Sequence, residues 1–268
     1  MKKHLYISGM LIIVLMSFQS FAQAPKKTYL VTSGELIFSQ SAVSFTDDFL
    51  KQYPGAVMSE ERTRFTCFVH IGQYVHHDFN NNIGFFTGLG IRNVGMITDE
   101  TLPQTVTFVP GDTVAYSNYK IVKRQYMLGI PLALKLGSFK NHMYIFGGAE
   151  YELAFVYKEK YWTDTWDRSG EKTKHNDWFG DQTPLFFPSV FGGIQFPGGF
   201  NVRFKYYLSD FLNTDFKVDK NSQQNSIYSI SDLSRYKESQ VFYLSLCWQF
   251  NSSSLTKVTK SDVKQTSL

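Results

Sequence analysis

The run QVFYLSLCWQF, Gln240–Phe250, alternates between two faces with almost no error. Phe242, Leu244, Leu246, Trp248 and Phe250 share one side; Val241, Tyr243, Ser245, Cys247 and Gln249 share the other. Successive side chains of a strand point to opposite faces, so this period specifies a β-strand with one oily surface. The period recurs in Tyr29–Gln40, Arg64–His76, Ile83–Ile97, Tyr119–Gly137, Met143–Lys158, Leu185–Phe196 and Phe200–Leu212. Eight strands are expected.

The links between them alternate in length. HDFNNN, SFKNH and PGG are hairpin turns, whereas Ser41–Arg62, Thr98–Asn118, Trp162–Gln182 and Asn213–Arg235 are long and polar. In an up-and-down barrel this places every short turn at one rim and every long loop at the other. Short periplasmic turns, long extracellular loops and an even strand number mark an outer-membrane barrel. The expected fold is all-β: an eight-stranded antiparallel up-and-down transmembrane β-barrel, both mature termini periplasmic.

The N-terminus has the form of an export signal: MKKH supplies positive charge, LYISGMLIIVLMSF an apolar stretch, and SFA a small-residue cleavage pattern. Residues 1–22 are read as a removed signal peptide, 23–250 as the barrel, and 251–268 as a disordered polar tail. Removing Lys2 and Lys3 leaves 25 basic against 23 acidic residues, a balance that gives no reason to invoke nucleic acid. Beyond the signal, no stretch reaches the ~18 apolar residues of a membrane helix. Cys67 and Cys247 fall on opposite faces of their strands, so two free thiols are expected rather than a disulfide.

Soluble lipocalin-like barrels also alternate, with the oily face turned inward around a ligand. The polar face separates the two. It carries Glu35, Arg64, Arg92, Lys135, Glu150, Glu152, Arg203 and Lys205, together with Gly72, Gly84, Gly88, Gly90 and Gly148. Glycine is wasted on a solvated strand surface but useful in a crowded, narrow lumen. The oily stripes are therefore expected to meet outer-membrane lipid, with a soluble periplasmic ligand-binding barrel as the outsider.

The chain resembles the outer-membrane β-barrel domain family of Gram-negative bacteria, in the form common in Bacteroidota. The stretch YMLGIPLALK, Tyr126–Lys135, is similar to that family's Tyr-Leu-x-Ile-Pro-Leu-Leu-Leu-Lys signature. YIFGGA from Tyr144, FGGI from Phe191 and VRFKYYL from Val202 look like its glycine-rich and basic-aromatic strands. The resemblance implies an integral outer-membrane barrel, a fold whose members serve different roles, some of them in type nine protein secretion.

By parity, Glu35, Glu150 and Glu152 face inward with Arg64, Arg92, Lys135, Arg203 and Lys205. Buried charge needs a partner, so lumen ion pairs are expected, Glu150 or Glu152 joining basic residues on neighbouring strands. They form either a structural plug or a gate in a narrow small-solute pore. His76-His77-Asp78 does not read as a metal site, because adjacent strand residues point apart. His175 stands among Asp164, Asp167, Asp177 and Asp181, but loops this polar supply such neighbours by chance, so no enzymatic role and no cofactor are expected. Trp162, Trp166 and Trp178 in the third long loop are candidates for protein or glycan recognition, or for an interfacial aromatic belt. The expected role is a structural or interaction scaffold; a secretion-apparatus component and a narrow pore are the alternatives.

Overall fold

The computed structural model describes residues 28–66, 70–104, 114–164, 168–217 and 229–254. The expected signal peptide, Cys67, Trp166 and residues 255–268 lie outside the described residues. In chain order the elements are β1 (Thr28–Phe45), helix α1 (Asp47–Gln52), β2 (Val57–Arg62), β3 (Arg64–Thr66), β4 (Ile71–Asp78) and β5 (Ile83–Pro103). Then come β6 (Tyr116–Ser138), β7 (Met143–Thr163), β8 (Lys172–Trp178), β9 (Phe186–Gln195), β10 (Phe200–Tyr207) and β11 (Tyr236–Ser254).

Eight strands close a ring in the order β1, β4, β5, β6, β7, β9, β10, β11, each antiparallel to the next, and β11 returns to β1. The closing pair runs from Tyr29↔Ser254 to Phe45↔Tyr236. Closure removes the exposed sheet edge that an open sheet presents. The expected up-and-down barrel is therefore the observed one. β3 continues the β4 position against β1, β2 pairs with the far half of β5, and β8 pairs with the far half of β7.

The strands reach further than the alternation alone predicts. β5, β6 and β7 are 21, 23 and 21 residues long, so segments read as loop ends stand as wall. Charged and β-branched positions there keep strand geometry because β2 and β8 pair with them. β11 likewise continues through Ser254, four residues into the expected tail. The three short turns do sit together at one rim. At the other, α1 is capped by Thr46, whose hydroxyl accepts the Phe49 amide proton at 3.3 Å.

The interior is filled in tiers. Near the short turns, Tyr74, Phe86, Phe139, Tyr144, Phe146 and Phe191 pack together. An ionic layer lies at mid-height. Above it, inward residues of the tall wall pack with Phe49 of α1, with Tyr53 at its C-cap, and with Phe211, Leu212, Ile230 and Leu233 from the last long loop. Outward positions of the short-turn half form the opposite surface: Ile130, Leu132 and Leu134 are 57%, 62% and 61% exposed, with Ile71, Leu89, Ile145, Val190, Phe204 and Leu244 around the ring.

The closing register makes a direct prediction. Phe38 and Leu244 are cross-strand partners, so Phe38→Cys with Leu244→Cys, in a background lacking the native thiols, should oxidise to an intramolecular disulfide. Moving one thiol to Tyr243 should abolish it, because a one-residue slip turns the side chain to the other face. Non-reducing electrophoresis reads the result.

Candidate functional site in the barrel lumen

β1, β5, β7 and β10 each send ionic side chains to the centre. The Arg92 guanidinium donates through Nε to Glu35 Oε2 at 3.0 Å, through Nη1 to Glu152 Oε1 at 3.3 Å and to Glu150 Oε1. Its Nη2 donates to the Tyr74 hydroxyl at 3.0 Å. Lys205 Nζ completes the layer, 2.9 Å from Glu150 Oε2 and 2.6 Å from Glu152 Oε2. All five ionic side chains are buried. Arg203 lies in the same half of the lumen, so three carboxylates face three cations in a balanced interior.

The ion pairs cross the lumen rather than linking neighbours in the wall. β7 lies two strands from β5 on one side and two from β10 on the other. The expectation of neighbouring-strand partners fails for a steric reason. The intervening β6 presents Gly129 opposite Glu152, and a Cβ built on Gly129 would stand 2.3 Å from Glu150 Oε1. A bare backbone at that point lets the carboxylates reach across.

Three of the eight expected lumen residues do not join this layer. Lys135 sits nearer the short turns, where Nζ pairs with Asp78 Oδ1 at 2.5 Å and lies over the rings of Phe139, Tyr29 and Tyr144. Arg203 is enclosed by the rings of Tyr74, Phe146 and Phe191 at 5.2–6.0 Å. It borders a cavity of about 10 Å³, at the lower limit of room for one water.

Arg64 instead mends the wall. Among the described residues, β5 has no backbone partner on its β4 side between Ile91 and Ile97, where the pairing with β4 begins at Ile71 and that with β2 ends at Arg62. Side chains fill the gap. Arg64 donates to the Asn93 carbonyl at 3.0 Å and to its side-chain oxygen at 2.8 Å. Ser39 donates to Gly95 O at 2.8 Å. His70 bridges Glu35 O and Asn93 O at 3.2 and 3.1 Å.

A second ionic cluster, unforeseen from sequence, lies in the tall wall. Arg235 Nε donates to Glu100 Oε2 at 3.2 Å, and the Tyr236 hydroxyl donates to Glu100 Oε1 at 2.7 Å. Lys123 Nζ lies 3.5 Å from Glu159 Oε2, which also accepts from the Tyr157 hydroxyl at 3.0 Å. Glu100 and Arg235 fall in segments read as loop, so only the wall's height brings them together. Burial pushes the Glu100 carboxyl up, but Arg235 and Lys123 outweigh it and hold the group below the usual carboxylate range.

The tryptophans do not form one surface. Trp162 is buried on the outer face against Ile97 and Val122, under Arg168 and Lys172. Wall residues of β5 and β6 cover it. Trp178 is 69% exposed. It pairs with Val156, six register steps from Trp162, or roughly 20 Å along the ribbon. His76 turns inward between the Tyr29 and Phe86 rings, while His77 turns away to the Thr28 hydroxyl. Among the described residues, no group of three or more His, Cys, Asp or Glu is placed to hold a metal.

Arg92→Met leaves three buried carboxylates with too few cations, and should destabilise the barrel by about 3–5 kcal/mol. Adding Glu150→Gln should recover part of the loss, as urea unfolding followed by tryptophan fluorescence will show. The Glu100 carboxyl, depressed in the folded state, contributes stability above its unfolded value of ~4.3. That contribution disappears as pH falls through the folded value, so Glu100→Gln should flatten the stability-versus-pH profile below pH ~4.3.

No family model matches the chain, and no curated protein matches it. Among solved structures it is similar to Ail, the attachment invasion locus protein of Yersinia pestis, crystallised with the heparin analogue sucrose octasulfate. The identity is 10%, the coverage 85% of this chain and 99% of that one, and the TM-score 0.32. The outer membrane protein OprG from Pseudomonas aeruginosa matches at 10% identity, 84% and 97% coverage and a TM-score of 0.30. The toluene transporter TbuX from Ralstonia pickettii matches at 8% identity, 85% and 90% coverage and a TM-score of 0.20. At such low overlap these likenesses add nothing to what the strand register establishes.

Proposed function

We propose that the chain is an integral outer-membrane β-barrel whose filled lumen makes it a rigid scaffold for interactions at its long-loop end, with a protein or glycan as partner. The observation carrying this reading is the inversion of the ordinary pattern. Leu, Ile, Val and Phe stand exposed around the short-turn half of the ring, while Arg92, Lys205, Glu150 and Glu152 are buried. A soluble monomer rarely exposes a contiguous apolar patch beyond a few hundred Å², and this band encircles the molecule. In lipid such a surface is stable, and a closed sheet leaves no backbone group unpaired there.

The lumen supports a plug rather than a pore. Arg92 and Lys205 tie four strands together across it, with aromatic layers on either side. Membership of a secretion apparatus remains the second reading that the resemblance brings, and co-purification from native membranes is its test.

Leu132→Arg, near the middle of the apolar band on β6, should cost about 2–4 kcal/mol in phospholipid vesicles. On a water-facing surface the same change should stay within ~0.5 kcal/mol. In planar bilayers the wild-type protein should show no steady conductance; a stable open level would overturn the plug and favour the pore.

A further inference from the structure

On the outer face of the tall wall, β6, β7 and β8 form a grid whose rows follow from their register. Tyr126, Val156 and Trp178 make the lowest row; Arg124, Lys158 and Asn176 the next; Val122, Lys160 and Lys174 the third; Lys120, Trp162 and Lys172 the fourth. The lowest row stands at the upper margin of the apolar band, two residues beyond the outward Leu128 and joined by Phe155 at its ring contacts with Tyr126 and Trp178. This is an aromatic belt at interfacial height.

Directly above it lie Arg124, Lys158, Lys160, Lys172 and Lys174. None has a carboxylate within ion-pair distance among the described residues. The nearby Asp99 is occupied by Lys120 at 2.7 Å and Arg62 at 2.6 Å. Arg124 faces Lys158 across one pair of strands, and Lys160 faces Lys174 across the next. Like charges placed directly opposite destabilise a sheet. Burial and then the surrounding Arg124, Lys172, Lys174 and Lys158 push the Lys160 ammonium down from its ordinary value. The buried Arg124 Nε has no hydrogen-bond partner among the described residues. The wall thus holds a concentrated, uncompensated positive charge that an anion would relieve.

We infer that the Arg124–Lys158–Lys160–Lys174 face binds the phosphorylated headgroup of an outer-leaflet lipid. The inference rests on the membrane reading above. Height and direction both select this occupant. Each step of two residues along a strand tilted ~45° climbs about 5 Å, so the four cations stand roughly 5–10 Å above the belt, at the outer part of a headgroup layer about 5–8 Å deep. The side chains point sideways over the bilayer rather than up toward the loop tips. The Lys158 ammonium, 4.8 Å from the centre of the Tyr126 ring, is held down at the belt itself.

The test uses the full mature chain and the variant Arg124→Gln/Lys158→Gln/Lys160→Gln/Lys174→Gln, with circular dichroism as the folding control. Both should float with pure phosphatidylcholine vesicles; failure of the wild type to do so overturns the membrane reading and this inference with it. For protein that floats, native mass spectrometry in detergent then measures binding of diphosphoryl lipid A and of its dephosphorylated form. The wild type should prefer the diphosphoryl lipid by at least about a hundredfold, since each surface cation contributes roughly a fivefold gain toward anionic lipid. The variant should lose the preference. Equal binding of both lipids, or a variant that binds as the wild type does, overturns the inference while leaving the membrane reading intact. Competition by a soluble sulfated oligosaccharide at equal affinity would reassign the face to a glycan and overturn it also.

Discussion

Every backbone amide and carbonyl in the wall must find a partner, and the pairing of β1 with β11 is what makes that possible. With the ring closed at eight strands, the lumen is only wide enough for side chains. The consequences follow in order. Inward residues are sealed from bulk water, so charge there must be balanced. Outward residues of the short-turn half become a largely apolar surface, with Gln73 and Thr32 among its few polar side chains. Between the β4 and β2 pairings along β5, Arg64 and Ser39 donate to the carbonyls of Asn93 and Gly95, and a His70 ring nitrogen also meets the Asn93 carbonyl.

The lumen shows how a small volume dictates composition. Arg92 has room to meet Glu35, Glu150 and Glu152 because Gly129 and Gly90 put no Cβ in the way. Removing one carboxylate leaves the lumen with excess positive charge, and removing Arg92 leaves it with excess negative charge. Such a network is weak evidence of stability relative to an apolar core, but it is unforgiving of partial change. Rigidity follows, because the ties run across four strands rather than along the wall. Above the ionic layer, Phe211, Leu212, Ile230 and Leu233 form a packed cap over the lumen.

The outer wall serves a different end from the lumen. Inside it, Glu100 pairs with Arg235 and Lys123 with Glu159; outside, Arg124, Lys158, Lys160 and Lys174 stand above Tyr126, Phe155 and Trp178 with no ion-pair partner among the described residues. One strand, β7, contributes Glu159 to the first group and Lys158 and Lys160 to the second. The same segment therefore neutralises the interior and charges the exterior, a division that alternation within a strand makes available at no extra length.

Much of this was legible in the residues. Period two located all eight wall strands, and HDFNNN, SFKNH and PGG set the short-turn rim. Parity turned Glu35, Arg92, Glu150, Glu152 and Lys205 inward, because charge and oil separate onto opposite faces wherever one side is dry. What parity could not supply was distance across the ring: Glu150 meets Arg92 and Lys205 two strands away, not a neighbour. Nor could it see past a bulge. The register slips between Tyr126 and Met127, where Ala154 and Val156 flank an extra Phe155. That one residue reverses every later side chain of β7, sending Tyr157 and Glu159 inward and Lys158 and Lys160 out. The sequence by itself determined the strands, their number and their oily face, since these depend on local alternation. Only the tertiary structure decided which charges meet and which side the upper lysines occupy, since both depend on where strands far apart in the chain come into register.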